Sequence, residues 1–147
     1  MSTGRKVVSF GILKYESGDI YEGQLLNGRR SGKGKMAFTN GDKYTGMWHH
    51  DQMSDPSGVY QFANGNEYVG SHKPCSQMLG RKFGQFDGAG TLKIKGKGEF
   101  VGNFKNHTIH GNGKFKSLDG QITIEKNWNN MQLQAFTNLI DNLVDSM

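Results

Sequence analysis

The sequence predicts an all-β fold: a single-layer solenoid, or ribbon, of stacked β-hairpins followed by a C-terminal amphipathic α-helix. Three observations predict it. Glycine is abundant, at 22 residues against 2 prolines in 147. A glycine inside regular structure costs roughly 0.5–1 kcal/mol relative to alanine, so this many are tolerated only where they supply geometry that other residues cannot. A tyrosine–glycine–bulky pattern also recurs along the chain, and the last residues place apolar side chains at helical spacing. Aromatic residues (9 Phe, 5 Tyr, 2 Trp) are too plentiful for a disordered linker.

The repeat begins clearly at Asp19, with DIYEGQLLNGRRSGKGKMAFTNG, and restarts at Asp42, with DKYTGMWHHDQMSDPSGVYQFANG. Tyr21, Gly23, Leu25, Gly34, Phe38 and Gly41 reappear as Tyr44, Gly46, Trp48, Gly58, Phe62 and Gly65. A third start carries Tyr68, Gly70 and His72, loses register through 73–87, and recovers at Gly88, Gly90, Leu92 and Ile94. A fourth carries Phe100, Gly102, Phe104, Gly111, Gly113 and Gly120. Upstream, FGILKYESG matches the second half of a unit. Downstream, ITIEKNWNNM is a decayed first half with Trp128 at an aromatic position. The units are therefore about 9–18 (partial), 19–41, 42–65, 66–96 (with an insertion), 98–120 and 121–130 (decayed). The hairpin array occupies 1–130 and the helix 131–147.

Period-two alternation explains each unit. In Tyr-x-Gly-x-Trp the named positions share one strand face, and Gly34, Met36 and Phe38 alternate likewise. Two short strands joined by a glycine loop make a hairpin, which cannot bury a face alone, so units must stack. On this reading GRRSGKGK, at 28–35, is a hairpin turn and the start of a second strand. A phosphate loop needs a helix directly after its glycines, whereas Met36-Ala37-Phe38 continues a strand.

The recurring pattern resembles the MORN repeat, roughly YxGxWxxGxxxGxGxxxxxxG. The resemblance covers about residues 9–130 and rests on several positions recurring together in order. Unit two lacks the inner glycines, and unit three has His72 where a ring belongs. The resemblance implies a non-enzymatic scaffold or adaptor with a protein partner, set in the cytoplasm within a cytoskeletal, ciliary or axonemal assembly.

Two faces are candidates for contact. The ring face comprises Tyr21, Leu25, Tyr44, Trp48, Tyr68, Phe100, Phe104 and Trp128. These residues pack repeats against one another, yet a one-layer ribbon has no second sheet to cover them, so part of the face is expected either to stay open and receive a partner or to be covered by another element, for which the C-terminal tail is a candidate. The opposite face carries Lys33, Lys35, Lys93, Lys95, Lys114 and Lys116. Unit two offers Val59 and Gln61 there, so the face reads either as a solvated surface or as a broken basic stripe for anionic membrane lipids, at roughly 1 kcal/mol per cation in contact. The net charge of +5 suits an acidic partner without selecting one. Nucleic acid is disfavoured as that partner: neither a recognition helix nor an RNP-like aromatic strand is evident.

The tail, MQLQAFTNLIDNLVDSM, places Leu133, Phe136, Leu139, Ile140, Leu143, Val144 and Met147 at three- and four-residue spacings. A helix this short is marginal alone in water. It must dock, either on its own ribbon as a cap or on a partner through Phe136 and Ile140, and the need of solenoids for capped ends favours the cap.

No catalytic constellation emerges. His107 and His110 fall in a hairpin loop with no cysteine or carboxylate cluster beside them, so no metal site is expected. Cys75, the single cysteine, lacks an orienting partner, permits no internal disulfide and fits a reducing compartment. No cofactor is implied. The N-terminus is basic but its apolar run is broken by Ser9 and Lys14, unlike a secretory signal.

Overall fold

The computed structural model describes residues 6–74 and 84–145. Expectations for Cys75 and Met147, and for most of the insertion, lie outside these residues. The strands are β1 (Val8–Lys14), β2 (Ile20–Leu26), β3 (Arg29–Ala37), β4 (Lys43–His49), β5 (Gln52–Met53), β6 (Asp55–Gln61), β7 (Glu67–Lys73), β8 (Gln85–Ile94), β9 (Gly98–Lys105), β10 (Thr108–Ser117), β11 (Thr123–Asn127) and β12 (Met131–Gln132); one helix, α1 (Leu133–Asp145), follows. All pair antiparallel in one open sheet, β1-β2-β3-β4-β6-β7-β8-β9-β10-β11, with β5 against β4 and β12 against β10. This is the expected all-β ribbon with a C-terminal helix.

Four of the hairpin turns are two-residue turns with positive φ at both centres: Asn27-Gly28 (51°, 80°), His50-Asp51 (46°, 66°), Asn106-His107 (51°, 65°) and Asn129-Asn130 (50°, 58°). Such turns match the right-handed strand twist. GRRSGKGK is thus one turn residue, Gly28, followed by strand β3. No phosphate-cradling helix follows it.

Register stacks like on like. One row of cross-strand partners runs Leu13, Tyr21, Met36, Tyr44, Tyr60, Tyr68, Leu92, Phe100, Phe115 and Ile124. Beside it Gly11 pairs Gly23, Gly23 pairs Gly34 and Gly34 pairs Gly46; beyond a break, Gly58, Gly70, Gly90, Gly102 and Gly113 pair in turn. The glycines seat the rings. A Cβ at Gly34 would collide with the ring and hydroxyl of Tyr21, and one at Gly90 would lie 2.6 Å from Cε1 of Tyr68. Tyr21, Tyr44, Tyr68 and Phe100 each lie over a glycine of the second strand of their unit, Gly34, Gly58, Gly90 and Gly113, and only a residue without a side chain leaves room for the ring.

The buried residues form two clusters. One holds Tyr21, Leu25, Met36, Tyr44, Trp48 and Met53. The other runs from Tyr68 and Phe86 through Phe100, Phe104, Ile109 and Phe115 to Trp128, Phe136 and Ile140. Helix α1 lays Phe136 against Phe100, Trp128 and Phe115, with ring centroids 5.2, 5.2 and 6.1 Å apart. The helix caps its own ribbon. Each fully buried large side chain contributes roughly 1.5–3 kcal/mol, which stabilises a helix too short to stand alone.

Candidate functional site

Side chains lock the rings from the unit edges inward. The hydroxyl of Tyr21 donates to the Gln24 carbonyl (2.6 Å), that of Tyr44 to Met47 (2.8 Å) and that of Tyr68 to Ser71 (2.8 Å). Burial pushes the Tyr21 phenol up to about 12, and those of Tyr44 and Tyr68 are raised by the same cause, so all three stay protonated donors at neutral pH. Trp48 Nε1 donates to the Gly34 carbonyl (3.2 Å), and Trp128 Nε1 repeats the bond to Gly113 (3.0 Å). The decayed last unit therefore keeps the anchoring contact of an intact one.

All ten residues expected to meet a partner, Tyr21, Leu25, Tyr44, Trp48, Tyr68, Phe100, Phe104, Trp128, Phe136 and Ile140, are buried within the chain. The expectation that part of the ring face stays open is corrected by the fold. Rings of neighbouring units pack edge to face and cover one another, and α1 covers the last of them. In this structure these residues present no surface to a second molecule.

The six lysines Lys33, Lys35, Lys93, Lys95, Lys114 and Lys116 are exposed, and the register sets glutamates among them. Glu22 faces Lys35, Glu67 and Glu99 flank Lys93, Glu99 faces Lys116 and Glu125 faces Lys114. Lys93 Nζ lies 3.7 Å from Glu67. Lys95 falls in the turn after β8, its aliphatic stem over Gly65, rather than on the strand. Four strand steps, about 19 Å, separate β3 from β8. The outer face therefore alternates in charge. Its central row, Thr45, Val59, Val69, Thr91 and Val101, is β-branched. A shallow depression lined by Glu22, Lys33, Lys35, Thr45, Met47 and Asp55 lies on this face.

Three features escape the repeat pattern. Asp19, Asp42 and Asn66, at the unit starts, each accept a backbone N–H from the next turn: Thr39 (3.0 Å), Ala63 (2.8 Å) and Lys95 (3.0 Å). Their recurrence at the head of three successive units is the signal that could have found them. His72 is buried at the ring position, against Tyr44, Tyr68 and Phe86. Its Nδ1 lies 2.9 Å from the Gly70 carbonyl while Nε2 meets no partner, and burial lowers its pKa to about 4. Arg30 is buried too, its guanidinium lying over Tyr15 and Trp48 at 5.3 and 5.1 Å and donating to the Asp51 carbonyl.

The histidines weighed for metal binding have other contacts. His107 stacks on Phe86 at 4.0 Å and its Nδ1 accepts the Phe86 N–H (2.8 Å), while His110 Nδ1 meets the side-chain oxygen of Asn130 at 2.5 Å. Among the described residues no group of three His, Cys, Asp or Glu could hold a metal ion, and no helix is long and apolar enough to cross a membrane.

Comparison with known proteins completes the picture. The family model described as MORN repeat matches residues 21–43, 57–67 and 100–122. Alsin of Rattus norvegicus and alsin of Homo sapiens are each 28% identical over 113 residues, covering 74% of this chain and 6% of the relative. The inactive protein tyrosine kinase pTKL of Plasmodium berghei (strain Anka) is 33% identical over 63 residues, covering 43% of this chain and 5% of the relative. The chain thus spans a small fraction of the length of these curated relatives, and the likeness is confined to a repeat region. MORN repeats are non-catalytic modules that generally mediate protein or membrane interactions. The matched segments, the recurring glycine and ring rows and the hairpin ribbon they build make this chain a MORN-repeat protein.

Proposed function

We propose that the protein is a non-enzymatic scaffold that holds a protein partner within a cytoplasmic cytoskeletal or ciliary assembly. One observation carries the scaffold reading. The rings and the helix face are consumed in building a continuous sheet, which leaves a long, shallow outer face and strand edges as the accessible surface. Such a surface suits extended protein contact. The cytoskeletal or ciliary setting rests on the family resemblance alone.

Contact with anionic lipids through the lysines is the second reading. Exposure of all six lysines supports it, and the glutamates opposite four of them count against it. Affinity capture from native extract, with washes at rising salt, separates the two. Cytoskeletal proteins retained at high salt are the expected result. Loss of every protein at moderate salt, with retention of anionic vesicles, would replace the scaffold reading by the lipid one.

A further inference from the structure

The repeat itself defines an unfilled position. Every second strand of a unit lies between two first strands: its own, and that of the next unit. Thus β3 pairs β2 and β4, β8 pairs β7 and β9, and β10 pairs β9 and β11. Strand β1 is also a second strand, since Gly11 stands where Gly34 and Gly113 stand, yet it pairs only β2. Among the described residues nothing pairs its other edge. About half of its backbone N–H and C=O groups therefore point away from the sheet.

Two side-chain observations mark the same position. At Gly34 and Gly113 an added Cβ would strike the ring of the preceding first strand, Tyr21 or Phe100. At Gly11 it would meet only Leu25 Cδ1, at 3.5 Å, an ordinary contact. The seat is built and no ring lies in it. Leu13, whose counterparts Met36, Leu92 and Phe115 are 0, 2 and 0% exposed, is only half-buried. Alongside, Phe10 and Ile12 project outward at 76 and 58% exposure.

We propose that the free edge of β1 receives, antiparallel, an extended segment of a partner protein carrying an aromatic residue two positions before a glycine. The internal register sets the fit. The incoming glycine sits opposite Gly11, as Gly23 sits opposite Gly34, and the aromatic residue sits opposite Leu13, as Tyr21 sits opposite Met36. The ring then lies over Gly11. The segment continues a strand–strand interface that already runs through the whole sheet, so backbone bonds supply affinity and the empty seat supplies selectivity. The inference rests on the scaffold reading and names its docking site. Its failure would leave that reading standing, because capture of a partner could proceed over the outer face.

The test uses the full chain and a synthetic peptide of residues 19–27, DIYEGQLLN, the sequence of β2 and its flanks. Titration calorimetry and amide hydrogen exchange are the readouts. The expected result is saturable binding that slows exchange across residues 8–14. Binding should weaken by roughly tenfold or more for Gly11→Val protein, whose Cβ would fill the seat, and for peptide bearing Tyr21→Ser. The peptide substitution keeps the test decisive if the protein variant folds poorly. Absence of binding, equal binding by the serine peptide, or slowed exchange elsewhere would overturn the proposal. So would self-association of the protein that protects 8–14 and excludes the peptide, since the occupant would then be a second copy of the chain.

Discussion

The two ends of the ribbon are built from the same repeat and finish differently. At the C-terminal end the last rings, Phe100 and Trp128, are covered by Phe136 of α1, and Phe115, Phe136 and Ile140 are fully buried. At the N-terminal end β1 has an unpaired edge, a bare glycine seat and an exposed patch of Val7, Val8, Phe10 and Ile12. The difference shows that the repeat specifies its internal interfaces, apart from the break between Gly46 and Gly58, and leaves its ends unspecified. An end needs a separate device, and only one end has it within the described residues. The interior rings are closed to contact, and the end without a cap offers an accessible edge.

Removing the cap is the strongest way to break this contrast. Phe136→Ala should cost ~3–4 kcal/mol in urea unfolding, as for other buried aromatic truncations. Hydrogen exchange should show α1 and the β9–β11 region losing protection while β2–β4 keep theirs. Equal loss at both ends would mean that the clusters are not separable.

Acid acts on the middle of the ribbon. The folded-state pKa of His72, about 4, lies below its ordinary value of 6.5. The unfolded chain therefore binds more protons in that window, and stability present above pH 6.5 is lost as pH falls toward 4. The groups facing the ring are Tyr44, Tyr68 and Phe86, with Asp55 the nearby carboxylate. Its contribution should be roughly 2 kcal/mol, read as the difference between wild type and His72→Leu in denaturation curves at pH 7 and pH 4.5. Parallel curves would show that His72 is not buried neutral.

Smaller changes sharpen the comparison of units. Tyr68→Phe removes the bond to the Ser71 carbonyl and should cost about 1 kcal/mol. Phe100 fills the same seat without a hydroxyl, so the ring should remain in place. Lys93→Gln should change stability by less than about 0.5 kcal/mol, because its pair with Glu67 is exposed. A larger loss would revive the lysine face as a structural element.

Much of this was legible in the sequence because it depends on local alternation. Tyr-x-Gly-x-Trp placed rings and glycines on one strand face, and the 3–4 spacing of Phe136 and Ile140 identified the buried side of α1. What escaped the sequence depends on partners distant in the chain. Phe86 lies beside the insertion, out of register with the repeat, and is buried only because Tyr68, His72 and His107 converge on it. The glutamates set among the lysines were not legible, because alternation along one strand is silent about the charges on its neighbours. A one-layer ribbon has no second sheet to cover its rings, and the contacts that bury them come from rings of neighbouring units, which the pattern of a single strand does not display.

A glycine row seats the rings, and the seat on β1 is empty. Paired urea denaturation of Gly34→Val and Gly11→Val decides whether this is so. The expected result is a loss of ~4 kcal/mol for Gly34→Val, equivalent to evicting a buried aromatic side chain, and less than about 0.5 kcal/mol for Gly11→Val. Equal losses at the two positions would contradict it, since Gly11 would then be as tightly covered as the glycines inside the ribbon.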